Sequence, residues 1–142
     1  MTGIRRKGNR KLTEDVTTGD NDKSFTLEAT NSFEHTLESI MVQWQPTATV
    51  GNRVPIITVS NGTTFLYRAR SPAVIAASTI TEIMLQPNCG FSSANNTMFI
   101  PIPPDFKIQK DDVIRITDRS NIDPTDTVLV VITHRKLSKG GN

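Results

Sequence analysis

Short alternating runs of apolar and polar residues, each closed by Gly, Pro, Asn, Asp or Ser, recur from residue 24 to residue 133. A period of two places successive side chains on opposite faces of a half-buried strand. Phe25, Leu27 and Ala29 share one face of the first run, and Asn31 to His35 supplies a turn. Leu37 to Gln45 is a longer strand with Ile40, Val42 and Trp44 on one face, closed by Pro46. Residues 47–53 form a loop carrying Gly51, and Val54 to Ser60 is a further β-branched run. Asn61-Gly62 then separates VPIITVS from TTFLYRAR and predicts a two-residue hairpin turn, because Asn and Gly tolerate positive φ. In the second of these strands Phe65, Tyr67 and Ala69 face one way, and Leu66, Arg68 and Arg70 the other.

The second half continues in the same manner. Residues 73–86 carry alanines that would suit a helix, but their Thr, Ile and Val content predicts strand, with Ile83 and Leu85 on one face. PNCGFSSANN (87–96) and RSNIDPTD (119–126) read as loops. Between them lies NTMFIPIPPDFKIQKDDVIRITD, a strand, a Pro-rich break, and a hairpin turning at Lys110-Asp111-Asp112. Thr127 to Thr133 is apolar on both faces and predicts a central strand covered on both sides. The count is eight or nine strands and no helix. That predicts an all-β, antiparallel β-sandwich of jelly-roll-like form, with an open barrel as the competing geometry.

Residues 1–24 show no period of 2 or 3.6, so they predict a flexible arm ahead of a β-sandwich domain at 25–135 and a tail at 136–142. Charge sharpens this division. The arm holds six basic and four acidic groups, the segment 25–133 seven basic and ten acidic, and the last nine residues Arg135, Lys136 and Lys139 with no acid. The ends are therefore basic and the body mildly acidic. Arg5, Arg6, Lys7, Arg10 and Lys11 of the arm are the candidate partner-binding residues. They could meet phosphates, although the arm holds no aromatic residue to stack bases, or dock on the acidic body of a neighbour.

Candidate chemistry is sparse. Cys89 is the single cysteine, which leaves no internal disulfide and no cysteine-built zinc site. A nucleophilic Cys needs a histidine in contact, and the sequence brings neither His35 nor His134 to it. Asp118, Asp123 and Asp126 invite a calcium reading, but they lack the alternate-position ligands and glycine of an EF-hand loop and read as turn builders. Asn61 and Asn95 fit the glycosylation pattern, which is common by chance, and no secretion signal is read at the start. Trp44 and Tyr67 fall on apolar strand faces, so they predict core rather than a sugar platform. No apolar run approaches the roughly 18 residues of a membrane span. No catalytic residue, cofactor or metal is assigned, and the expectation is a protein that is not an enzyme.

The order of these elements resembles the small jelly-roll structural proteins of tailed-phage virions, the head decoration or cement proteins and related auxiliary proteins. The features that carry it are FTLEATNSFEHTLESIMVQW, GNRVPIITVSNGTTFLYRA, MFIPIPPDF, FKIQKDDVIRITD and SNIDPTDTVLVVI, with Asp111 standing where a glycine would be expected before Asp112. The resemblance implies a virion structural protein, assembled in the host cytoplasm, that binds the major capsid protein or another virion protein. It also implies a homo-oligomer, with a trimer as the expected ring, fastened by the arm reaching across a neighbour. A glycan- or receptor-binding module using loops 87–96 and 119–126, and a capsid protein whose basic arm contacts nucleic acid, are the alternatives.

Overall fold

The computed structural model describes residues 9–18, 23–25, 33–109, 111–118 and 126–138. The described residues form eleven strands, β1 (Asn9–Thr18), β2 (Lys23–Phe25), β3 (Phe33–Gln45), β4 (Pro55–Ser60), β5 (Phe65–Arg70), β6 (Thr81–Gln86), β7 (Ser92–Ala94), β8 (Thr97–Pro101), β9 (Phe106–Ile108), β10 (Val113–Asp118) and β11 (Thr127–Ser138). The larger sheet runs β1-β11-β3-β6-β8-β7, and the smaller runs β2-β10-β4-β5. β9 pairs with the first part of β3, on residues 35–37, whereas β6 pairs with its later part, on residues 40–44. The architecture is thus the all-β sandwich that the alternation predicts. All described pairs are antiparallel except β6 with β8, which run parallel.

The two sheets bury their inward rows against each other. Ile40, Val42 and Trp44 of β3, Ile83 and Leu85 of β6, and Val128, Val130 and Ile132 of β11 supply one side. Ile57 and Val59 of β4 with Ile114 and Ile116 of β10 supply the other. Burying one such aliphatic side chain is worth roughly 1.5–3 kcal/mol, so these rows are the main support of the fold.

β3 changes face part-way along. The pairing with β11 slips between Thr133 and His134, where Thr133 faces Ser39 and His134 faces Leu37, so Glu38 is the extra residue of a bulge. Strict alternation from Ile40 would send Glu38 and Thr36 inward. The bulge instead buries Leu37 and His35 and leaves Glu38 to pair with Arg135 at 3.0 Å. The predicted turn at 31–35 is corrected here, since residues 33–35 already belong to the strand.

Four further expectations are corrected. Residues 9–18, expected to be part of a flexible arm, form β1, which pairs with β11 from Asn9↔Lys136 to Thr18↔Thr127. Lys23 to Phe25 pairs with β10, so this strand begins inside the expected arm, and residues 26–30 of the predicted first strand lie outside the described residues. β9 and β10 form no hairpin: β9 belongs to the larger sheet and β10 to the smaller, so the chain crosses the sandwich between them. Residues 73–80 are irregular, held by a bridge in which Arg53 and Ile75 exchange both backbone hydrogen bonds at 2.8 Å.

β11 is central, with β1 on one side and β3 on the other, but it is fully covered on one face only. Leu129 and Val131 remain half-buried on the outer face.

Candidate interaction surfaces and polar clusters

The basic residues singled out in the first segment divide. Arg10 and Lys11 stand in β1, opposite Arg135 and His134 of β11, and Arg5, Arg6 and Lys7 lie outside the described residues. Along its other side β1 has no strand partner among the described residues. A row of unpaired N–H and C=O groups at a sheet edge is a template for pairing with another chain.

The two histidines come together. The bulge turns His35 inward on β3, and His134 follows Ile132 on the buried face of β11, so the rings meet edge to face with centroids 4.6 Å apart. Their Nδ1 atoms lie 2.9 Å apart, so one Nδ1–H donates to the lone pair of the other. Both side chains are buried. The sequence places them 99 positions apart with no signal that links them.

Cys89 is half-buried, and its thiol donates to the carbonyl oxygen of Gln86 at 3.3 Å. Tyr67 stands near it. Burial first, and the Cys89 sulfur second, push the Tyr67 phenol up to about 12, and the phenol O–H donates to the Pro101 carbonyl at 2.8 Å. Trp44 is fully buried and Tyr67 packs against the core, as their strand faces predict.

The acidic residues that invited a calcium reading serve the scaffold. Asp126 is fully buried and accepts from Arg53 Nε at 2.8 Å on Oδ2 and from the same guanidinium at 3.0 Å on Oδ1. It also accepts from the Trp44 indole N–H at 3.0 Å and the Thr47 backbone N–H at 2.9 Å. Burial alone would raise this carboxyl, but the hydrogen bonds from Arg53, Trp44 and Thr47 and the charge of Arg53 outweigh it and hold the group below its ordinary value. The remaining Arg53 nitrogen, Nη1, is directed at the loop, where it donates to the carbonyls of Thr49 and Gly51. This cluster pins loop 46–54 to the start of β11. Asp118 accepts from the Val54 backbone N–H at 2.8 Å, and Asp123 lies outside the described residues. Sequence reasoning missed the cluster, and its one available signal was a lone arginine set directly before the apolar run of β4.

Loop 87–96 contains a structure of its own. Ser92–Ala94 forms β7, and Asn95 and Asn96 connect it to β8, with φ of 51° and 61°. Phe91 beside them is exposed.

Comparison with models of known protein families finds no match, and comparison with curated proteins finds none either. Among solved structures the chain is similar to one described as "nora virus structure", at 11% identity and a TM-score of 0.42, over 99% of this chain and 67% of that one. A likeness so loose carries no functional argument.

Proposed function

We propose that this chain is a non-enzymatic virion structural protein, a capsid decoration or cement subunit that assembles through its N-terminal segment. The observation that carries the reading is β1. A ten-residue strand lies on the rim of the larger sheet, follows a basic stretch, and is held, among the described residues, by a ladder to β11 alone. The same ladder can be made with the β11 of a neighbouring copy, which is the economy of domain swapping. The arm then fastens as an exchanged strand rather than as an unstructured tether. A non-enzymatic role is supported by how the reactive groups are used: His35 with His134, Cys89 with the Gln86 carbonyl, and Asp126 with Arg53 each serve internal contacts.

The test is a pair of cysteines at Val16 and Leu129, which face each other across the β1–β11 ladder, in a Cys89→Ser background. Facing Cα atoms of antiparallel strands lie about 4.5–5.5 Å apart, within disulfide reach. The expected outcome is a defined oligomer by light scattering at low and high salt, whose oxidation yields covalent multimers on a denaturing gel. A monomeric mass with a bond closed inside each chain sinks strand exchange. An oligomer with bonds closed inside each chain moves the interface to the body.

A further inference from the structure

We infer that the outer face of the smaller sheet is a binding surface for single-stranded nucleic acid, with Arg68, Arg70 and Arg115 on phosphates and Phe65 on a base. The inference goes beyond the virion reading and stands whether or not that reading holds.

The alternation of three strands builds the face. Ile114 and Ile116 of β10, Ile57 and Val59 of β4, and Tyr67 and Ala69 of β5 turn toward the core. Their neighbours therefore turn outward. In register, Arg115 faces Thr58 and Thr58 faces Arg68, and in the next row Thr117 faces Ile56 and Ile56 faces Arg70. All three arginines are exposed. Strands about 4.8 Å apart place Arg115 and Arg68 roughly 10 Å from one another, and Arg68 and Arg70 are about 7 Å apart along β5.

The third row adds the aromatic group. The β4–β5 register slips between Val59 and Ser60, so Phe65 faces Ser60 while Tyr67 faces Val59, and Leu66 becomes the bulged residue. Strict alternation would have sent Phe65 inward with Tyr67. The bulge instead leaves its ring 63% exposed. Phe65, Ser60, Thr63, Thr64 and Arg115 border one open cavity of about 230 Å³. A cation, an aromatic ring and three hydroxyls thus meet at one place on a basic face.

The chemistry selects the occupant. Arginine forks match phosphate oxygens, and hydroxyls add phosphate and sugar contacts. Aromatic rings stack on any base, and that combination of basic track and stacking platform is how single strands are held without sequence preference. An acidic protein would also meet the arginines but has no particular use for an exposed ring beside them.

The probe is a fluorescein-labelled oligothymidylate, titrated with the full chain by anisotropy across a salt series. The Arg68→Ala, Arg70→Ala, Arg115→Ala triple variant is expected to lose at least tenfold in affinity. Its log–log salt slope should shrink by about 2, since each phosphate contact to a single strand contributes about 0.7. Phe65→Ala should lose about tenfold with the slope unchanged. The three Arg→Lys changes should keep the slope, and thermal melts of every variant should match the parent. Wild-type affinity in the triple variant overturns the inference. So does loss of binding only when Arg5, Arg6, Lys7, Arg10 and Lys11 become alanine, which moves the site to the N-terminal segment. Polyglutamate competing as well as the oligonucleotide, with no effect of Phe65→Ala, also overturns it in favour of an acidic protein partner.

Discussion

At the scale of single residues the fold turns on Asp126. A carboxylate with no exposure is tolerable because an arginine grips both oxygens and two further N–H groups complete its shell. Removing one partner of such a buried pair leaves the other charge uncompensated, so Asp126→Asn should destabilise the protein by about 3–5 kcal/mol in urea unfolding. Its acid dependence has a definite sign. The folded carboxyl lies below its unfolded value of about 3.9, so the stabilisation is fully present above about pH 4 and is lost as pH falls through the folded value. Unfolding free energy measured from pH 6 downward should therefore decline below about pH 4 in the parent, and the decline should be shallower in Asp126→Asn. An equal decline in both proteins would place the acid sensitivity elsewhere. Nothing in the local sequence announces this role, because RSNIDPTD has the composition of an ordinary turn and the partner is 73 positions away. Ion pairs of this kind arise from the topology, which a run of letters does not carry.

At the scale of elements, the period-two pattern was legible wherever a strand kept one face on the core. Ile40, Val42 and Trp44, or Ile83 and Leu85, are buried as their alternation predicts. It failed where one residue slips, because a bulge inverts every later face: Glu38 turns His35 inward, and Leu66 turns Phe65 outward. Turn chemistry shows the same division. Asn61-Gly62 is not a two-residue turn; the connection spans residues 61–64, closed by the Asn61 N–H donating to the Thr64 carbonyl and by Asn61 Oδ1 accepting from the N–H groups of Thr63 and Thr64. The two-residue turn with both φ positive is Asn95-Asn96, whose side chains tolerate that region less readily than glycine but better than most. Asn96→Val should thus cost about 1–2 kcal/mol, whereas Asn96→Gly should be nearly neutral, as read by urea midpoints. Equal costs would show that the Asn96 side chain, not the backbone, matters there. The glycine expected before Asp112 has a physical basis as well, since Asp111 occupies that site with φ of 69°.

At the scale of the whole molecule, the decisive fact is where the first and last described strands join the larger sheet. β11 is the last of the described strands yet sits between β1 and β3, so it is internal to the larger sheet while the first described strand lies at its rim. Pairings of this separation are slow to form, because loop closure precedes the contacts that stabilise it. β1 lies at the rim and, among the described residues, is joined to the sandwich through β11, whereas the described core cluster draws on β3, β4, β5, β6, β8, β9, β10 and β11. Its departure uncovers the β11 edge, with half-buried Leu129 and Val131 beside it. A chain lacking residues 1–24 should therefore still unfold cooperatively, but melt lower by about 5 °C or more and associate through the bared edge. A synthetic peptide of residues 1–24 added in trans should bind it, raise the melting temperature and return it to a defined mass, while a scrambled peptide should do neither. Those outcomes, read by calorimetry and light scattering, would make the N-terminal strand a transferable fastener. Unchanged melting after truncation, with no uptake of the peptide, would show that the β1–β11 ladder contributes nothing to the fold and would remove the physical basis for assembly by strand exchange.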